Sequence, residues 1–161
     1  MAITTFPSSR VPDRRTAGRE MVGRLLEERQ RMLVLFCRAA GLEPYPDGRR
    51  DDRGVPQVLQ EFCQVLVDYV AAAHFSLYER IVNGTERRQR VIDLARELYA
   101  RIEQCTESAI VFNDKYDCAD QCQELTQLHA DLCELGEALA TRIELEDRLI
   151  EGLLGPRSSP A

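Results

Sequence analysis

Twenty residues, FCQVLVDYVAAAHFSLYERI from Phe62 to Ile81, carry more apolar surface than one face of a helix can hold. Projected at ~100° per residue, Phe62, Leu66, Tyr69, Ala73, Leu77 and Ile81 line one stripe, while Asp68, Phe75, Glu79 and Val82 fall on nearly the opposite side. A helix that is apolar on two sides has to be covered on both. The segment is expected either to lie between two layers of its own chain or to lend its second side to another protein, through an aromatic residue set between two carboxylates.

The rest of the chain supports a helical fold. Strands would need β-branched runs between turns, and these are scarce; Leu, Glu, Arg, Ala and Gln dominate. The 161 residues suffice for one domain with a substantial core. A formal net charge of −6 and a pI near 5.1 argue against a general affinity for nucleic acid or for an anionic membrane, so neither direct DNA binding nor membrane attachment is expected. No apolar run approaches the ~20 residues of a membrane span, and the start MAITTFPSSRVPDRR lacks the apolar core of a secretory signal. A cytoplasmic location is expected. Cys37, Cys63, Cys105, Cys118, Cys122 and Cys133 all sit in helical patterns beside apolar residues and read as reduced, mostly buried thiols.

Residues 1–16 show no periodicity and read as a loose N-terminal arm. A first helix is predicted over about 17–40 on Val22, Leu25, Leu26, Arg29, Leu33, Phe36 and Ala40, with Gly41 as its stop. LEPYPDGRRDDRGV, residues 42–55, is a surface loop. A second helix follows from Pro56 to about Val82, with Asn83-Gly84 ending it. A third is predicted over about 85–112 on Val91, Leu94, Leu98, Ile102, Cys105, Ala109 and Phe112, with residues 113–118 as a connection. A fourth runs from about 119 to 154 on Leu125, Leu128, Leu132, Leu135, Leu139, Ile143, Ile150 and Leu153, and residues 156–161 form a tail. The links between the last three are short, so the fold class is all-α: an up-and-down four-helix bundle of long antiparallel helices over residues 17–155. From Asn113 to Leu154, eleven Asp and Glu stand against Lys115, Arg142 and Arg148, a balance of −8, which makes the last helix the acidic wall of the molecule.

Chemistry-bearing constellations are few. Cys118, Cys122, His129 and Cys133 project to one side of a helix, but at ~1.5 Å rise per residue the first and last lie ~22 Å apart. One zinc ion with ligands at about 2.0–2.3 Å cannot use all four. A di-iron site fails on count and spacing: His74 and His129 are the only histidines, and Glu-x-x-His occurs on no helix. There is no phosphate-binding glycine loop, no Gly-x-Ser-x-Gly and no cysteine in a context that lowers its pKa. No catalytic residue, metal site or cofactor is assigned, and nothing here requires an enzyme.

FCQVLVDYVAAAHFSLYERI together with LGEALATRIELEDRLIE, residues 135–151, resembles the bacterial Rsd/AlgQ family of sigma-factor-binding regulators. The likeness continues through GRLLEERQRMLVLF and FNDKYDC and covers about residues 18–154. The resemblance implies a helical bundle that binds the C-terminal domain of the primary sigma factor, which reads the −35 element through a helix-turn-helix and touches core polymerase. Such an anti-sigma factor sequesters that domain from both and favours alternative sigma factors. An acidic bundle suits a basic, phosphate-binding domain. Carried over by position, the resemblance puts Asp68, Tyr69, His74, Phe75, Tyr78 and Glu79 at the recognition surface, with Asp68 and Glu79 pairing with basic residues, Phe75 as an apolar anchor, and Tyr69 read as structural because it also lies on the core stripe. Gly136 permits close helix packing. Glu144, Glu146 and Asp147 are either a second acidic contact or a solvated face.

The chain departs from several members in helix 1, where Gly23-Arg24-Leu25-Leu26 replaces an Asp-Arg-Trp-Leu sequence and no Trp is present anywhere. No binding role is therefore carried onto helix 1. Three readings stay open: an anti-sigma module, a metal-binding or redox-sensing bundle using its cysteines, and the same fold turned to another regulatory protein or to a homodimer.

Overall fold

Apolar residues at intervals of three and four make each long segment amphipathic. In a computed structural model, described over residues 14–41, 54–82, 86–117 and 125–155, these segments form four helical rods and no strand. Helix α1 is Arg14–Ala39. Helix α2, Val55–Ala73, passes without interruption into a π-helical turn, His74–Tyr78, and a short α3, Glu79–Val82. Helices α4, Gln89–Tyr116, and α5, Leu128–Leu154, complete the bundle.

The ends follow local chemistry. Gly41 stops α1 at φ 74°, in the left-handed region that a β carbon disfavours. Pro56 occupies the first turn of α2, and the Gly54 N–H donates to Gln57 Oε1 at 3.2 Å. Other boundaries differ from expectation. Helix α1 takes in Arg14, Arg15 and Thr16 of the predicted arm, and α4 continues through the predicted connection to Tyr116. Its extra turn is held because Tyr116 is buried and donates to Asp131, and because Lys115 is a cation at a helix C-terminus. Helix α5 starts at Leu128 and not near 119: Leu125 to Gln127 precede it as a turn, with Leu128 N–H donating to Leu125 O at 3.2 Å. The rest of the predicted arm and loop (1–13 and 42–53), the Asn83-Gly84 stop, Cys118 of the predicted connection, residues 119–124 of the predicted fourth helix and the tail lie outside the described residues.

Cross-helix pairs give the topology. Phe36 faces Phe62 and Gly136, Arg29 faces Asp147, Phe62 faces Phe112, Tyr78 faces Ala95, and Tyr116 faces Asp131 while Arg88 reaches Leu153. Numbers rise on one helix as they fall on its neighbour, so adjacent rods are antiparallel, ordered α1, α2, α4, α5 around the axis. Gly136 matters to this closure, since a β carbon there would come within 3.0 Å of the Phe36 ring.

The core has two apolar parts. One, including Met32, Leu59, Phe62, Leu66, Phe112 and Leu135, carries an aromatic run: Phe36 to Phe62 at 5.9 Å, Phe62 to Phe112 at 5.8 Å and Phe112 to Tyr116 at 4.6 Å. The other joins Tyr78 and Ile81 to Val91, Leu98, Leu145 and Leu149. Fully burying each such side chain stabilises by about 1.5–3 kcal/mol. Cys63 and Cys105 are buried free thiols and Cys37 is half-buried, whereas Cys133 is exposed, contrary to its expected burial.

Candidate functional site

The outer side of the α2–π–α3 rod brings Asp68, Phe75 and Glu79 to solvent. A spacing of seven residues puts Asp68 and Phe75 on one face about 10 Å apart along the axis, and the next four residues, within the wider π turn, bring Glu79 round to the same side. Phe75 is 60 % exposed, a large apolar side chain left in water between two carboxylates. His74 is exposed beside it, edge-on to Phe75 at 5.4 Å and stacked on Tyr78 at 6.2 Å.

Tyr78 does not stand on that surface. It is buried, its hydroxyl donating to Ala95 O at 3.4 Å, and burial pushes its phenol up to about 12. It forms the floor under His74. The backbone explains the arrangement: the Glu79 N–H donates to His74 O, five residues back, so this turn holds one residue more than an α turn. Sequence periodicity carries no mark of it. Beyond Tyr78, Tyr99 of α4 meets the same ring edge-on at 5.2 Å and is 42 % exposed. Its place beside the core residue Leu98 marks it only as the flank of a stripe, since the pairing exists only once α2 packs on α4.

The second acidic group divides. Glu144 is exposed, Asp147 is half-exposed, and Glu146 is 1 % exposed. Glu146 is thus no surface charge but an internal counter-ion. Its Oε1 accepts from Arg142 Nε at 2.7 Å, and its Oε2 accepts from Arg29 Nη2 at 3.1 Å and from the Tyr69 hydroxyl. Arg142, equally buried, continues to Thr106 Oγ1 and, at 3.4 Å, to Ile102 O. Arg29 Nη1 donates to Asp147 at 2.7 Å. Arg29 and Arg142 against Glu146 and Asp147 make the network neutral. The stripe expected through Ile143 and Ile150 runs instead through Arg142, Leu145, Glu146 and Leu149, because the two charges satisfy one another inside. Arg142 and Glu146, four apart and in line with Leu135, Leu139 and Leu149, were the available signal.

Electrostatics agree with this layout. Burial opposes the Arg29 charge, but its bond to Asp147, with Tyr69 and Glu146 beside it, holds its pKa above the ordinary arginine value. Burial first and the Glu146 carboxylate second push the Tyr69 phenol well above its usual range, so it stays a donor. Burial likewise lifts the Cys63 thiol to about 12, which removes it as a nucleophile. His129 Nε2 lies 3.9 Å from Cys133 Sγ, while Cys118 and Cys122 fall outside the described residues. Among the described residues no three His, Cys, Asp or Glu side chains converge on a metal position, and no helix is long and apolar enough to cross a membrane.

Comparison with known proteins adds a second line of observation. A family model described as regulator of RNA polymerase sigma(70) subunit, Rsd/AlgQ, matches residues 7–154. The chain is 31 % identical over 137 residues to the regulator of sigma D of Yersinia enterocolitica, covering 82 % of this chain and 79 % of that one. It is 34 % identical over 138 residues to the regulator of sigma D of Salmonella newport, covering 81 % and 80 %. No solved structure matches the chain.

Proposed function

The chain belongs to the Rsd/AlgQ family of regulators of the RNA polymerase sigma(70) subunit, and on that footing we propose that it is an anti-sigma factor acting by occupancy. It binds the C-terminal, −35-reading domain of the primary sigma factor, withholds that domain from core polymerase and promoter, and so favours alternative sigma factors. The observation that carries this reading is the exposed line Asp68, Phe75, Glu79. A domain that contacts DNA phosphates presents Arg and Lys. Those groups find two carboxylates here, and an apolar side chain between them finds Phe75. No bond is made or broken, so the function needs neither catalyst nor cofactor, and the regulator itself does not touch DNA. Acting on RNA polymerase places it in the cytoplasm.

Calorimetric titration with the isolated C-terminal domain of the host's primary sigma factor, at two salt concentrations, tests the proposal. Saturable binding that weakens with salt is expected. Reversing both acids, Asp68→Arg with Glu79→Arg, is expected to cost about tenfold or more, since each pair contributes from under ~1 kcal/mol at a rim to about 2–5 kcal/mol when desolvated. Unchanged affinity in that double variant removes this surface. Binding to itself in place of the sigma domain, seen as a dimer on sedimentation, turns the reading to a homodimer.

A further inference from the structure

The line on α2 accounts for one helix, yet its aromatic row continues onto α4. Centroids step from Phe75 to His74 at 5.4 Å, from His74 to Tyr78 at 6.2 Å, and from Tyr78 to Tyr99 at 5.2 Å. Phe75 and Tyr99, the two ends, are 60 % and 42 % exposed, and the middle is a buried ring whose hydroxyl is already occupied. The result is a shallow aromatic seat bridging two helices, fixed from below by Tyr78. Its two ends differ in charge. Around Phe75 the exposed ionic neighbours on its face are Asp68 and Glu79, whereas one turn to either side of Tyr99 stand the exposed Arg96 and Glu103, one of each sign. The α2 end therefore favours cations and the α4 end has no such preference.

Resting on the sigma reading above, we infer that the docking surface is two helices wide: Tyr99, with Phe75 and His74 over Tyr78, seats an apolar side chain of the sigma domain while Asp68 and Glu79 hold its basic residues. Exposed aromatic rings on a rigid floor bury large area at small entropic cost, the character of a binding hot spot. The same titration separates this inference from its premise. Wild type binds the sigma domain, Tyr99→Ala loses about tenfold or more, and Tyr99→Phe, which keeps the ring, stays within about twofold. Benzoylphenylalanine placed at position 99 cross-links to the sigma domain on irradiation, a readout of contact that does not depend on how Tyr99→Ala packs. Normal binding by wild type with Tyr99→Ala unaffected, or cross-linking from position 75 but not from 99, confines docking to α2 and overturns the inference with the sigma reading intact. No binding by folded wild type overturns both.

Discussion

Glu146 shows how far a residue's environment can depart from its type. It lies beside Asp147 in an acidic helix, yet one carboxylate balances two arginines in the core and the other is half in solvent. Removing the inner one strands Arg29 and Arg142 without their shared partner. Glu146→Ala is expected to cost about 3–5 kcal/mol, the penalty for breaking a buried ion pair from one side. Asp147→Asn is expected to cost under ~1 kcal/mol. Urea unfolding measures both, as a shift in midpoint at constant slope. Equal effects would mean that Glu146 is solvated. Tyr69→Phe removes a hydrogen bond to a charged group and is expected to cost about 1.5–3 kcal/mol. Sequence projection placed Tyr69 inside correctly because its neighbours on the stripe are apolar. It failed for Glu146 because a charge is read as solvent-facing unless its counter-charge, 117 residues away on α1, is known to arrive.

Among the helices, the junction of α4 with α5 is tied at both ends by polar clasps. Arg88 donates to Gly152 O at 3.3 Å and Leu153 O at 3.1 Å, covering carbonyls at the end of α5. At the other end Asp131 accepts from Lys115 Nζ at 2.6 Å and from the Tyr116 hydroxyl, and these bonds hold its carboxyl below the ordinary 3.8. The folded chain therefore binds that proton more weakly than the unfolded chain does. The clasp stabilises above the ordinary carboxylate range, and its contribution is lost as pH falls through the lowered folded value. Compared with Asp131→Asn, the wild type should unfold at higher urea near about pH 6, and the gap should close toward about pH 2. A gap independent of pH would make the clasp a matter of packing. Apolar periodicity made the long rods readable from sequence, together with the Gly41 stop and the Pro56 start. It could not place the ends at Tyr116 and Leu128, which this contact between helices decides, nor the π turn at His74–Tyr78, which leaves no trace in residue type.

At the scale of the whole molecule, the bundle combines a rigid interior with an acidic exterior. Short links made the up-and-down topology readable, while the layer of charge between the two apolar parts of the core was hidden among apparently solvated residues. That layer is neutral as a whole, Arg29 and Arg142 against Glu146 and Asp147, so the net charge of −6 still acts on the surroundings. A basic partner then feels the attraction before contact, and exposed carboxylates such as Asp68 and Glu79 add a local target. Raising the salt concentration is expected to lower the association rate of the sigma domain and to leave its dissociation rate nearly unchanged, because screening acts on approach through solvent. Phe75→Ala is expected to do the reverse, leaving association intact and speeding dissociation, since an apolar anchor acts only once buried. Stopped-flow measurement of both rates distinguishes these roles, and salt acting on dissociation alone would put the acidic pairs in the desolvated centre of the interface, with the aromatic seat at its rim.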